Sequence, residues 1–200
     1  MSFCDTGVMR TVDLSCPAPG GGTRDHALAI LLEDWLAATL TVTSSSKTLT
    51  NIVLAAGGKR AWRFNMPAGA GSMTSGTTGR DEAGNPTISS SVPVIFQKRD
   101  VTTLQDLDFF INNRFILLVP NNVNEGGYEI VAGYADGSDA AQGVGLRGTD
   151  SFDSASAGGS TILTFEPIEG QEPHNANWIL KGATETATQA VITALVTPTS

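Results

Sequence analysis

Two apolar runs set close together constrain this chain most. Phe115-Ile116-Leu117-Leu118-Val119-Pro120 is followed by a polar Asn/Gly stretch and then by Tyr128-Glu129-Ile130-Val131-Ala132-Gly133. Short apolar runs bounded by turn formers read as strand, turn, strand. A Gly/Ser/Asp-rich segment comes next, then a further strand, Thr161-Ile162-Leu163-Thr164-Phe165. No group suited to chemistry sits on these runs. They describe a scaffold with long polar loops, and such a scaffold commonly assembles with copies of itself.

Composition supports the β reading. The 200 residues suit one domain with arms and can bury a core without disulfides. A hydrophobic content of 40% sets the chain apart from disordered sequences, while 22 Gly and only 16% charged residues favour short strands joined by loops. The net charge of −8 is uneven. Residues 1–100 hold nine Lys/Arg and eight Asp/Glu; residues 101–200 hold three and twelve, a balance of −9. An acidic half of that kind disfavours a nucleic-acid-binding surface, which must neutralise phosphates. Cys4 and Cys16 match no zinc spacing and read as free thiols. No secretory leader is expected at the start, and no apolar window is long enough for a transmembrane helix. The chain is expected to fold in a cytoplasm.

Residues 1–24, with Pro17, Pro19 and Gly20-Gly21-Gly22, read as an N-terminal arm, residues 25–182 as the domain, and residues 183–200 as a C-terminal tail. Residues 27–36 fit both a helical face (Leu28, Leu31, Leu32, Trp35) and a strand alternation (Leu28, Ile30, Leu32). The β-prone segments downstream favour strand. Strands are predicted at 38–43, 49–54 and 61–65, the last with Trp62 and Phe64 on one face. Residues 66–91 hold five Gly, five Ser and four Thr, with Met66, Met73 and Ile88 as their few large apolar residues. A loop of that length is usually functional. It is expected to be a projecting hairpin or arm that orders against a neighbour, with Met66, Met73, Arg80 and Ile88 as contact residues.

A strand at 92–97 comes next, with Pro93 suited to an edge. Val101–Asn112 is the best helix, capped by Thr102 or Thr103, with Leu104, Leu107, Asp108 and Ile111 on one side. Further strands are predicted at 114–119, 128–133, 161–167 and 178–180. Residues 143–159 read as loop. The tail shows no strong pattern, though Ala190–Val196 suits an edge strand in a neighbour.

Candidate chemistry is thin. Gly143-Val144-Gly145-Leu146-Arg147-Gly148 has the spacing of a dinucleotide-binding loop, yet Thr149–Ser154 directly after it make a poor helix, so the match reads as coincidence. His26 and His174 are expected at surface or capping positions. Asp136, Asp139, Asp150 and Asp153 lack the spacing of a calcium loop and read as turn formers. No cofactor, metal or catalytic residue is expected.

Taken together, the segments resemble the tail tube proteins of tailed bacteriophages. The resemblance rests on Pro19-Gly20-Gly21-Gly22, on Leu49–Leu54 and Ala61–Phe64 as a hairpin, on the Gly/Ser loop, and on the helix Leu104–Asn112 leading into Arg114–Val119. It continues through Tyr128–Gly133, Gly145-Leu146 and Thr161–Phe165 before Glu172-Pro173, so it spans about residues 17–180. Ser154–Ser160 stands where the family pattern has an Asp-x-Gly turn.

The resemblance implies a mainly β, sandwich or barrel-like fold with one flanking α-helix and long loops. It implies rings, typically hexameric, stacked into a tube within a virion, with other tail proteins as neighbours. Double-stranded DNA would pass without specific binding, and no membrane is involved. A tube terminator, a baseplate hub and a capsid decoration protein remain open within this reading, and a carbohydrate-binding or adhesin-like sandwich is the alternative class. Ile130-Val131 and Ile162-Leu163 are expected at unguarded sheet edges. Asp106, Asp108, Asp136, Asp139, Asp150 and Asp153 are the candidate lumen-facing acids.

Overall fold

The structure is a computed structural model that describes residues 26–43, 48–55, 60–65, 73–80, 84, 86–96, 101–120, 127–131, 145–152, 161–169 and 177–197. The 1–24 arm, Cys4, Cys16, Met66, Asp136, Asp139, Asp153 and His174 lie outside the described residues.

The fold is organised around two strands whose residues are buried on both faces. β1 (His26–Leu31) and β7 (Arg114–Pro120) pair antiparallel, with Ala29 opposite Leu117 and Ile30 opposite Ile116. Side chains of a strand alternate between faces, so two such apolar strands feed two cores. Ala27, Ala29, Phe115, Leu117 and Val119 enter one cluster, and Leu28, Ile30, Ile116 and Leu118 enter the other. The resulting architecture is mainly β and sandwich-like with a flanking helix, the class predicted from the sequence.

The sheet branches at β7. Its C-terminal half pairs antiparallel with β8 (Tyr128–Val131), the two strands read from the apolar runs, while Arg114 and Phe115 pair with β9 (Leu146–Phe152). The path of neighbouring strands runs β2-β3-β11-β8-β7-β9-β10-β6-β5. Here β2 is Thr39–Val42, β3 Thr48–Val53, β5 Thr74–Arg80, β6 Pro86–Phe96, β10 Thr161–Pro167 and β11 Trp178–Leu180. β4 (Trp62–Asn65) lies off this path and, among the described residues, pairs only with β1. The expected hairpin of residues 49–54 with 61–64 therefore does not form: β3 pairs with β2 and β11 instead. Ile130-Val131 and Ile162-Leu163 are not edges either. β8 lies between β7 and β11, and β10 between β6 and β9.

Among the described residues, three helices pack on this frame. The ambiguous stretch resolves into both alternatives: β1 ends at Leu31 and α1 (Leu32–Leu36) begins at once, burying Trp35. α2 (Val101–Asn112) covers the first cluster, and Thr102 and Thr103 fall inside it rather than at its cap. Its buried face is Leu107 and Phe110, while Leu104 and Asp108 stand exposed. Phe110 sets that rotation. Its ring meets Phe64 at 4.9 Å, Phe115 at 5.1 Å and Phe165 at 6.1 Å, a larger apolar contact than a leucine makes. Trp62 and Phe64 share this aromatic cluster, as their spacing predicted.

The C-terminal segment is a helix, α3 (Glu185–Val196), and not the patternless tail or edge strand expected. Thr184 caps it by accepting from the Ala187 N–H at 3.1 Å. Thr188, Ile192 and Leu195, spaced three and four apart, form its buried stripe against the second cluster. The Leu195 carbonyl accepts from the Ala61 N–H at 2.7 Å, which ties the helix end to the start of β4.

Candidate functional site

The 66–91 segment contains an ordered ribbon. β5 and the first half of β6 pair from Thr74 opposite Ser91 to Arg80 opposite Pro86, with an irregularity between Thr77 and Gly79. Beyond Ser91, β6 changes partner and pairs with β10 from Val92 to Phe96. One long strand therefore belongs to the body at one end and to the ribbon at the other. Pro93 lies in the half where β10 is its pairing strand among the described residues, consistent with the edge role predicted for it.

Polar contacts anchor the ribbon's base. Ser90 donates to Ser75 Oγ at 3.0 Å, and Asn177 Nδ2 donates to Ser75 Oγ at 3.1 Å and to Glu129 Oε1 at 2.8 Å. Asn177 Oδ1 is buried and unpartnered among the described residues. At the far end, Arg80 Nη1 donates to the Gly84 carbonyl at 2.6 Å, and Gly84 has a φ of 85°, a conformation glycine adopts without strain.

The four residues named for this segment divide. Arg80 is exposed and donates to the Gly84 carbonyl. Ile88 is buried, and Met73 is partly buried against the first cluster, so both pack within the chain itself. The exposed surface of the ribbon is β5, every residue of which faces solvent.

Both ends of the strand path are short of charge. β2 reads Thr-Leu-Thr-Val and β5 reads Thr-Ser-Gly-Thr-Thr-Gly-Arg, so Arg80 is the one charged residue in the two. Neither contains proline, the other common guard of an edge strand. Beside β2, Leu36 and Val53 are about half exposed, at 49% and 52%.

Of the candidate acids, Asp106 and Asp108 are exposed on α2 and Asp150 is exposed on β9, an element that α2 packs against. The glycine run is resolved by the same packing. Gly148 lies on β9, a strand through Phe152 rather than the helix a pyrophosphate needs. A Cβ there would fall 2.8 Å from Leu163 Cδ1 and 3.0 Å from the Phe110 carbonyl oxygen, so Gly148 lets helix and sheet close on each other.

Two arrangements went unread in the sequence. His26 is not at the surface: it is buried, its Nε2 lies 2.9 Å from Tyr128 Oη, and Gln189 Nε2 donates to the same hydroxyl at 3.4 Å. Its place at the head of an apolar strand was the available signal. The second is the direct pairing of Arg114 with Arg147 across β7 and β9, visible only once the register is known.

Trp35 and Trp178 are buried, and Trp62 packs against Phe109 and Phe115, so the tryptophans a sugar-stacking face would need serve the cores. Among the described residues, no group of three or more His, Cys, Asp or Glu could hold a metal ion, and no helix is long and apolar enough to cross a membrane. Compared with protein-family models, with curated proteins and with solved structures, the chain matches none of them.

Proposed function

We propose that this chain is a structural protein that assembles with copies of itself into stacked rings, the tube of a bacteriophage tail, through which double-stranded DNA passes. The observation that carries the reading is the pair of sheet ends, each of which takes no second strand among the described residues. β2 and β5 terminate one continuous path of strands, and both are threonine-rich, uncharged over most of their length and without proline. An unguarded edge offers its free N–H and C=O groups to another strand. Joining one end to the opposite end of the next copy is a head-to-tail contact, and such contacts close into rings when the rotation per step divides a full turn.

The ribbon supports the same reading, since a two-stranded extension with one wholly exposed strand is suited to reaching a neighbour. The resemblance in the sequence pattern supports a ring-and-tube form, and the acidic balance of residues 101–200 suits a conduit that does not hold DNA. Negative-stain microscopy of the purified full chain, with light scattering across concentrations, tests the proposal. Rings or tubes are expected. A strict monomer at every concentration would overturn it.

A further inference from the structure

Arg114 and Arg147 are two of the three basic residues in the acidic half of the chain, and they face each other. Directly opposed residues of an antiparallel pair project from the same face, with Cβ atoms roughly 4.5–5.5 Å apart. The adjacent pair, Phe115 and Leu146, points into the first cluster, so the arginines point away from it. Like charges so placed destabilise a sheet.

Neither charge is neutralised within the described residues. Arg147 Nε donates to the Ile111 carbonyl at 2.6 Å, at the C-terminal end of α2, and Arg114 makes no hydrogen bond or ion pair there. The stem of Arg114 is nonetheless held. A Cβ on Gly145 would meet Arg114 Cβ at 3.0 Å and Leu32 Cδ2 at 3.4 Å, and Gly145 itself has a φ of 66°. The backbone thus closes on a half-buried arginine stem, and its guanidinium has no counter-ion among the described residues.

We propose that Arg114 and Arg147 together bind a carboxylate presented by a second copy of this chain, an inference that rests on the self-assembly reading above. Guanidinium groups match a carboxylate bidentately and lose less hydration on pairing than an ammonium does. Charge selects the occupant. Each copy carries a net −8 and exposes carboxylates such as Asp106 and Asp108. A nucleic-acid phosphate would bring a polyanion against a surface of the same sign. A partner carboxylate removes the repulsion between the two arginines only on assembly, so the pair favours the assembled state over the free subunit.

Arg114→Gln tests this, because glutamine keeps most of the packed stem and Arg114 has no hydrogen bond or ion pair to lose among the described residues. Sedimentation of the full chain is compared at low and high salt. The wild type associates, less so at high salt. Arg114→Gln weakens association by about tenfold or more, the loss expected for a charge-assisted hydrogen bond, with an unchanged or higher thermal midpoint. If Arg114→Gln associates as tightly as a wild type that does associate, this inference is wrong and the assembly reading stands. If the wild type itself never associates, the assembly reading fails and takes the second-copy occupant with it. A lowered thermal midpoint for Arg114→Gln reveals a partner inside the chain and overturns the premise. A titration with inorganic phosphate completes the test. Saturable binding that Arg114→Gln abolishes, while assembly stays normal, assigns the pair to a free oxyanion instead.

Discussion

Gly148 shows how one residue decides the distance between two layers. The helix α2 lies so close to β9 that its Phe110 carbonyl occupies the space a side chain would fill. Backbone cannot yield as the end of a flexible side chain can. Gly148→Ala is therefore expected to cost about 1–3 kcal/mol, the usual range for overpacking a core, and to lower the thermal midpoint by several degrees. A variant as stable as the parent would show that α2 shifts outward at little cost. The same contact explains why the glycine spacing misleads in sequence. The pattern that resembles a phosphate loop is partly a packing constraint between a helix and a strand that are 38 residues apart in Phe110 and Gly148. His26 was missed for a related reason. Its partner Tyr128 lies 102 positions away, and no local pattern records such a pairing.

At the scale of elements, legibility tracked hydrophobic contrast. β3, β7, β8 and β10 place their apolar residues against polar neighbours or turns, and each stands where its pattern put it. β9 was hidden because Leu-Arg-Gly-Thr-Asp-Ser-Phe buries only Leu146 and Gly148, and glycine shows no hydrophobicity. α3 was hidden because Ala and Thr dilute its stripe, although Thr188, Ile192 and Leu195 have helical spacing. That stripe is part of the core. Leu195→Ala is expected to cost about 2–5 kcal/mol, measured by denaturant unfolding, as for other buried leucines. A cost below about 1 kcal/mol would mean that the helix is an accessory and not part of the fold. The ribbon should behave in the opposite way. Replacing Thr74–Gly84 with a short Gly/Ser link removes the exposed strand β5 but leaves β6 on the body. Ser90 and Asn177 lose a partner, so a loss of about 1–3 kcal/mol is expected, with the domain still folded and tubes absent. Tubes of normal length would remove the ribbon from assembly, and outright unfolding would place it in the core.

The whole molecule is asymmetric in how it protects itself. Its centre is paired and covered on both faces, while the two ends of its strand path present neither charge nor proline across most of their length. Natural monomers guard such ends, because an open edge recruits other chains. The sequence reading puts open edges at Ile130-Val131 and Ile162-Leu163, which lie on central strands, because apolar character alone does not say whether a strand is central. Topology moves the question to β2 and β5, and a guard can be added there. Thr39 and Val42 are exposed on β2, so Thr39→Lys with Val42→Lys places two cations on the edge strand without burying either. Surface changes of this kind usually alter stability by less than about 0.5 kcal/mol. Like charges repeated at each contact around a ring oppose its closure, and screening relieves them as salt is raised. The doubly substituted chain is therefore expected to keep its thermal midpoint, to remain monomeric at low salt, and to recover part of its association at high salt. Light scattering across a salt series reads this directly. Undiminished assembly at low salt would show that β2 is not the joining edge, and the contact would then have to be sought at β4, the strand off the main path whose one partner among the described residues is β1.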